Sequence, residues 1–208
     1  MIANYFFIDG SSLLSQIREL QKKKSSFKDR KLDPILFITH FTASLPDLQS
    51  NEYKRAVFYF PNEDENTVKK YLVVPNFAKP GLVRDLHFKY CGKKMKGSEA
   101  FNKFVDEKVP SRWRDRFQKS EKGIDIEICC DAIKLASVGK MERLFMFTND
   151  SDFVPLFKTL KEFGVNVSLI HLSELKGANK ILTKEADSYD VIRDEVLERI
   201  FIPLTSSN

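Results

Sequence analysis

Two kinds of apolar pattern alternate along the chain. Tyr5 to Ile8, Ala56 to Phe60 and Arg143 to Phe147 are short runs dominated by apolar residues, which predicts strands buried on both faces. Val165 to Leu172 reads as another strand, and Leu86 to Cys91 alternates with period two, as a strand with one exposed face does. Between these runs, apolar residues recur every three or four positions. Leu13, Leu14, Ile17 and Leu20 share one helical face, with Ser11 or Ser12 as the expected cap. Asp33-Pro34 opens a second helix through Ile35, Leu36, Ile38, His40, Phe41 and Ala43. Residues 125–138 and Ser151 to Phe163 are predicted helices, ended by Gly139 and Gly164. Glu174 to Glu185 and Val191 to Ile200 add two more, and residues 98–119 look helical with a break at Pro110. Lys22 to Ser26, Asn62 to Asn66 and the lysine-rich Gly92 to Ser98 read as loops, and Val68 to Val74 fits either a helix or a strand. Strands alternating with helices of this length predict an α/β fold with a mainly parallel central sheet and helices on both faces.

Several of these elements begin or end on carboxylates. The first strand runs into Asp9, and the strand at 143–147 runs into Asp150 and Asp152. Lys122-Gly123-Ile124-Asp125 opens a helix that carries Asp131 further on, and a weaker acidic segment spans Glu185 to Asp190. Ligands of open α/β sheets sit at the carboxyl ends of the strands. Aspartates leaving two strands at that edge are therefore expected to meet. Converged carboxylates repel one another unless a hard divalent cation lies among them. Each acid also has a plain alternative as a helix cap or an exposed turn residue, and Asp152, just before a helix, suits that role best. Asp131 lies about 240° around the helix from Asp125, so it is a secondary candidate.

Charge sharpens the picture. The net charge of +5 is uneven: from Lys79 to Lys122 there are 13 Lys or Arg against 6 Asp or Glu, so the remainder is slightly acidic. A basic segment beside an acidic cluster fits acids that hold metal and bases that hold a polyanion. Solvated surface lysines would look the same. With 42% hydrophobic residues the chain can bury a real core, and its 208 residues fit one domain. No run approaches the length of a membrane span, and the first residues lack the layout of a signal peptide. Cys91, Cys129 and Cys130 show no metal spacing and read as small buried residues, which points to a reducing, cytoplasmic setting. His40 reads as a packed or boundary residue and His87 as a surface strand residue.

The ordered acidic blocks resemble the NYN domain family, a branch of the PIN-like nucleases that includes the LabA-like proteins. Phe7-Ile8-Asp9-Gly10-Ser11-Ser12-Leu13 is similar to the family's opening strand and its Asp-Gly-x-Asn-Leu. Lys122-Gly123-Ile124-Asp125 with Asp131 resembles its Lys-Gly-Val-Asp helix start, and Phe147 to Phe153 its Ser-Gly-Asp-Ser-Asp-Phe signature. Ala186-Asp187 is similar to a C-terminal Ala-Asp-x-Phe. Two positions depart from the pattern: Ser12 replaces Asn, and Asn149 replaces Gly.

The resemblance implies a single PIN-like domain over residues 1–208, with a basic segment at about 79–122. It implies a ribonuclease dependent on Mg²⁺ or Mn²⁺, with Asp9, Asp125, Asp150 and Asp152 as catalytic acids and the first three as metal ligands. Ser12, Asp131, Asn149 and Asp187 are secondary. RNA is then the expected partner, with Lys93, Lys94, Lys96, Arg112, Arg114 and Arg116 on phosphates. Trp113 either stacks on a base or packs in the core. Two alternatives stand beside cleavage. One is an RNA- or protein-binding module with a weak or inactive site. The other is a phosphohydrolase of small metabolites, which leaves the basic segment unexplained.

Overall fold

A computed structural model describes residues 3–44, 53–74, 85–95, 103, 107–108, 120–172 and 177–203. Its centre is a six-stranded parallel sheet in the order β4-β3-β1-β7-β8-β9. The strands are β1 (Asn4–Asp9), β3 (Tyr53–Phe60), β4 (Leu86–Tyr90), β7 (Arg143–Phe147), β8 (Asn166–His171) and β9 (Ser188–Val191). Two antiparallel ribbons lie outside it: β2 (Arg30–Leu32) with β10 (Phe201–Pro203), and β5 (Lys93–Met95) with β6 (Ser120–Lys122). The helices whose bounds fall within the described residues are α1 (Gly10–Lys23), α2 (Pro34–Ser44), α3 (Glu65–Tyr71), α4 (Ile124–Ser137), α5 (Val154–Glu162), α6 (Lys180–Glu185) and α7 (Asp194–Ile200).

The strand pattern sorts side chains onto two faces with period two. Phe6, Ile8, Phe58, Phe60, Phe145 and Phe147 point into one core, closed by α1, α2, α3 and α7. Tyr5, Phe7, Val57, Tyr59, Leu144 and Met146 point into the other, closed by α4, α5 and α6. Phenylalanine dominates the first core. Phe6 stacks on Phe145 at 4.6 Å between ring centres, and Phe37 meets Phe58 and Phe147 edge-on. Such pairs add about 0.5–1.5 kcal/mol each beyond their buried area.

The chain leaves β1 outward through β3 and β4, then returns to the other side of β1 and runs outward again through β7, β8 and β9. The strand order therefore reverses between β1 and β7. A crevice opens at the carboxyl edge of a parallel sheet at such a reversal.

Several local expectations are corrected. Asp9, not Ser11 or Ser12, caps α1, because its carboxylate accepts the Ser11 and Ser12 N–H groups. Residues 62–71 form a short 3-10 turn and then α3, where a loop and an undecided segment were expected. The helix expected at 174–185 is limited to α6 among the described residues, and that at 191–200 begins only at Asp194, after β9. In the expected basic loop at 92–98, residues 93–95 are a strand, paired with 120–122. The expected helix at 98–119 and Trp113 lie outside the described residues, apart from helical positions at 103 and 107–108. Cys91 is buried as expected, whereas Cys130 is exposed.

Gly10 shows why the first turn of α1 reads Asp-Gly. A Cβ there would run into the Phe60 ring and the Tyr59 carbonyl oxygen of β3. Gly10→Ala is expected to destabilise the fold by about 1–3 kcal/mol through overpacking, which outweighs the helix-propensity gain of up to ~1 kcal/mol. Chemical denaturation reads this directly. An unchanged or raised midpoint would show that α1 stands further from β3 than described.

Candidate functional site

Strand β1 ends on Asp9, and the turn after β7 carries Thr148, Asn149 and Asp150, so the crevice at the strand reversal receives both acidic segments. Asp9 is only 5% exposed, and both of its carboxylate oxygens are engaged. Its Oδ1 accepts the N–H groups of Ser11 and Ser12 at 3.0 and 3.2 Å, and its Oδ2 accepts the hydroxyl of fully buried Thr148 at 3.0 Å. The Thr148 hydroxyl also accepts the Asp150 N–H at 3.2 Å, which links the two carboxylate-bearing segments through one side chain. Behind it, Nε2 of buried His171 lies 3.1 Å from the Thr148 carbonyl oxygen.

A second link joins α1 to the same turn. The Asn149 N–H donates to Ser12 Oγ at 3.0 Å, and Asn149 Oδ1 accepts the Asn179 N–H at 2.7 Å. Asp150 caps the turn that follows, accepting the Asp152 N–H at 2.9 Å. The capping role expected of Asp152 thus belongs to Asp150, and Asp152 is an exposed neighbour. The other Asp150 oxygen has no protein partner among the described residues.

These segments enclose an open depression of about 330 Å³ lined by Asp9, Ser11, Ser12, Ser15, Gln16, Asn149, Asp150, Ser151 and Asn179. Of the residues expected from sequence, Asp9, Asp150, Ser12 and Asn149 are gathered here. Asp125, Asp131, Asp152 and Asp187 do not line it. Asp125 stands exposed in the first turn of α4, which starts after Gly123 in the left-handed conformation (φ 97°). Burial, and then the Asp125 charge, push the Cys129 thiol up to about 11, so it stays protonated at neutral pH.

Asp131 belongs to a separate network. Lys89 Nζ lies 2.8 Å from both Asp131 and Glu127, and the Tyr59 hydroxyl donates to Asp131 at 3.0 Å. Burial and the neighbouring Asp131 push the Tyr59 hydroxyl far above its ordinary range. Lys89 is raised as well: burial pulls it down, but its bonds to Asp131 and Glu127 prevail. Asp187 is structural, accepting the Val167 N–H at 2.7 Å and facing Lys161. His40 is half-buried as expected, and exposed His87 sits beside Asp85.

Among the described residues, no group of three or more His, Cys, Asp or Glu is arranged to hold a metal ion. The depression instead offers two carboxylates with serine hydroxyls and amide groups. That all-oxygen set suits a hydrated Mg²⁺ or Mn²⁺, since Mg²⁺ commonly keeps several waters and takes only one or two carboxylates. It does not suit zinc, whose sites favour His and Cys.

The basic residues are less fully placed. The backbone of Lys93 and Lys94 lies in β5, which leaves the carboxyl end of β4 and therefore rises from the same sheet edge as the depression. Lys96, Arg112, Arg114 and Arg116 lie outside the described residues. Sequence reasoning missed Thr148, Gln16, Asn179 and His171. Thr148 stood inside the matched acidic block, whereas the others carry no signal short of the folded geometry.

Thr148→Val keeps the shape but removes the hydroxyl shared by Asp9 and Asp150. It is expected to cost about 1–3 kcal/mol in unfolding experiments, because an acceptor and a donor lose their partner in a buried place. Thr148→Ser should recover most of that loss. A valine variant as stable as wild type would rule out this linkage.

The NYN domain family model matches residues 6–193, nearly the whole chain. A solved structure of a protein of unknown function from Vibrio parahaemolyticus superposes with a TM-score of 0.55 at 15% identity, covering 97% of this chain and 96% of that one. At this identity the likeness bears on the fold alone. No curated protein matches the sequence.

Proposed function

The chain belongs to the NYN domain family, whose members are generally nuclease-like, and from that premise we propose that it is an endoribonuclease working with Mg²⁺ or Mn²⁺. The observation that carries this reading is that Asp9 and Asp150 line one polar depression at the strand reversal between β1 and β7. Asp9 and Asp150 would hold the ion. When bound, it supplies an activated water and offsets charge on the phosphate oxygens.

The chain's own residues do the positioning. The Ser11 and Ser12 N–H groups and the Thr148 hydroxyl fix the Asp9 carboxylate in one orientation. The Asp152 N–H does the same for one oxygen of Asp150, which leaves the other without a protein partner among the described residues. Ser12, standing where the family has Asn, holds the Asn149 backbone through its hydroxyl, so this departure preserves the turn. Asn149, in place of Gly, is anchored by Asn179. Asp125 and Asp152, exposed at helix starts, are proposed to add negative charge around the ion. Lys93 and Lys94, with Lys96, Arg112, Arg114 and Arg116, are proposed to hold the RNA backbone.

One observation favours a second reading, in which RNA is bound but not cut: among the described residues, only two acids line the depression. Asp150→Asn separates the two. Asn can still accept the Asp152 N–H, so the variant should fold normally. Cleavage of RNA oligonucleotides should fall at least ~100-fold, or ~2.7 kcal/mol of transition-state stabilisation. RNA binding should persist, because a charge that repels phosphate has gone. EDTA should abolish wild-type cleavage, and Mg²⁺ or Mn²⁺ should restore it. Wild-type protein that binds RNA yet cuts none with any divalent ion would favour the binding module.

A further inference from the structure

The network around Lys89 is built like an ion site. Glu127 and Asp131 stand one helical turn apart on α4, the spacing that puts two side chains on one face. Each gives one carboxylate oxygen, Glu127 Oε2 and Asp131 Oδ2, to a single point 2.8 Å from both. Their side chains are 46% and 34% exposed, so ions from solvent reach them. Two carboxylates converged in this way attract a hard divalent cation, and a contraction of about 0.7 Å would give an oxygen–metal distance of ~2.1 Å.

The Lys89 ammonium occupies that point. Its Nζ bonds to both acids and lies 5.7 Å from the centre of the Tyr59 ring. The Tyr59 hydroxyl also donates to Asp131, so this carboxylate is held from β3 as well as from β4. Burial pulls Lys89 down, but its bonds to Asp131 and Glu127 raise it overall, and it stays charged at neutral pH. A tethered cation is always present at the pair. A dissolved ion must displace it and then stand beside its charge.

The position of the pair gives this meaning. Asp9 is level with Tyr59 on adjacent strands, and Tyr59 is level with Lys89. Lys89 therefore stands two strands from Asp9, about 10 Å between backbones, with Tyr59 between them. Ions that act together on one phosphate lie about 3.5–4 Å apart. An ion held by Glu127 and Asp131 would thus compete with one at Asp9 rather than assist it. We infer that Lys89 is a specificity-determining residue, whose ammonium takes the place of a divalent ion at the Glu127–Asp131 pair and leaves ion capture to Asp9 and Asp150. The bearing on catalysis rests on the nuclease reading above; the exclusion of ions from the pair does not.

Counting ions tests this without RNA. Titration with Mn²⁺, read by the EPR signal of the free ion, gives the number bound, and anomalous diffraction places them. Lys89→Met is expected to bind one ion more than wild type, with a new peak between Glu127 and Asp131. Lys89→Gln, neutral but still able to donate to a carboxylate, should gain the same ion with less disturbance of the fold. Lys89→Arg keeps the charge and should not gain it. Adding Asp131→Asn to Lys89→Met should remove the extra ion. Wild-type protein that already holds an ion at Glu127 and Asp131 would overturn the inference, as would neutral variants that gain none there. A gain there in a protein that holds no ion at Asp9 and Asp150 would uphold the exclusion by Lys89 and remove the metal-dependent nuclease reading.

Discussion

The hydrogen bond from the Thr148 hydroxyl to Asp9, in a place closed to water, is the contact on which the site depends. Asp9 ends β1, caps α1 and faces the turn after β7, so three elements converge on one carboxylate. A buried carboxylate is tolerated only when its oxygens are met, and here two backbone N–H groups and one hydroxyl meet them. The same hydroxyl accepts the Asp150 N–H, so fixing Asp9 also fixes the turn that presents Asp150. The close approach of Gly10 to β3 brings α1 near enough for Ser12 to join that turn.

Much of this was legible in the sequence, for identifiable reasons. The strands are continuous apolar runs because both faces of a parallel sheet are covered, so Tyr5 to Ile8 and Ala56 to Phe60 declare themselves. The meeting of Asp9 and Asp150 was legible because both stand at the carboxyl ends of strands. That β1 and β7 are neighbours was not, since adjacency across the strand reversal is a property of the whole topology. Capping was misread at both acids: Ser11 and Ser12 supply backbone donors, and Asp150 takes the role expected of Asp152. Periodicity cannot say which of two adjacent polar residues turns its side chain inward.

The acids expected to act together divide in the structure. Asp9 and Asp150 share the depression, Asp125 heads α4 outside its lining, and Asp131 is held by Lys89 and Tyr59. Lys89 lies between Glu127 and Asp131, where it neutralises Asp131, the acid that the family resemblance made a secondary candidate. Its partner role was invisible in sequence, because Lys89 sits on β4, 42 residues from Asp131. If Asp9 and Asp150 hold an ion as proposed, two carboxylates ask more of their surroundings than a three-acid cage would. The hydroxyl and amide lining supplies those surroundings.

The proposed chemistry requires that Asp9 and Asp150 hold a divalent ion. Anomalous diffraction from a crystal soaked in Mn²⁺ tests this without reference to activity. The expected result is a peak within direct or single-water reach of both carboxylates in wild type, lost in Asp150→Asn. A peak on Asp125, Glu127 or Asp131 with none at Asp9, or an unchanged peak in the variant, would contradict the account.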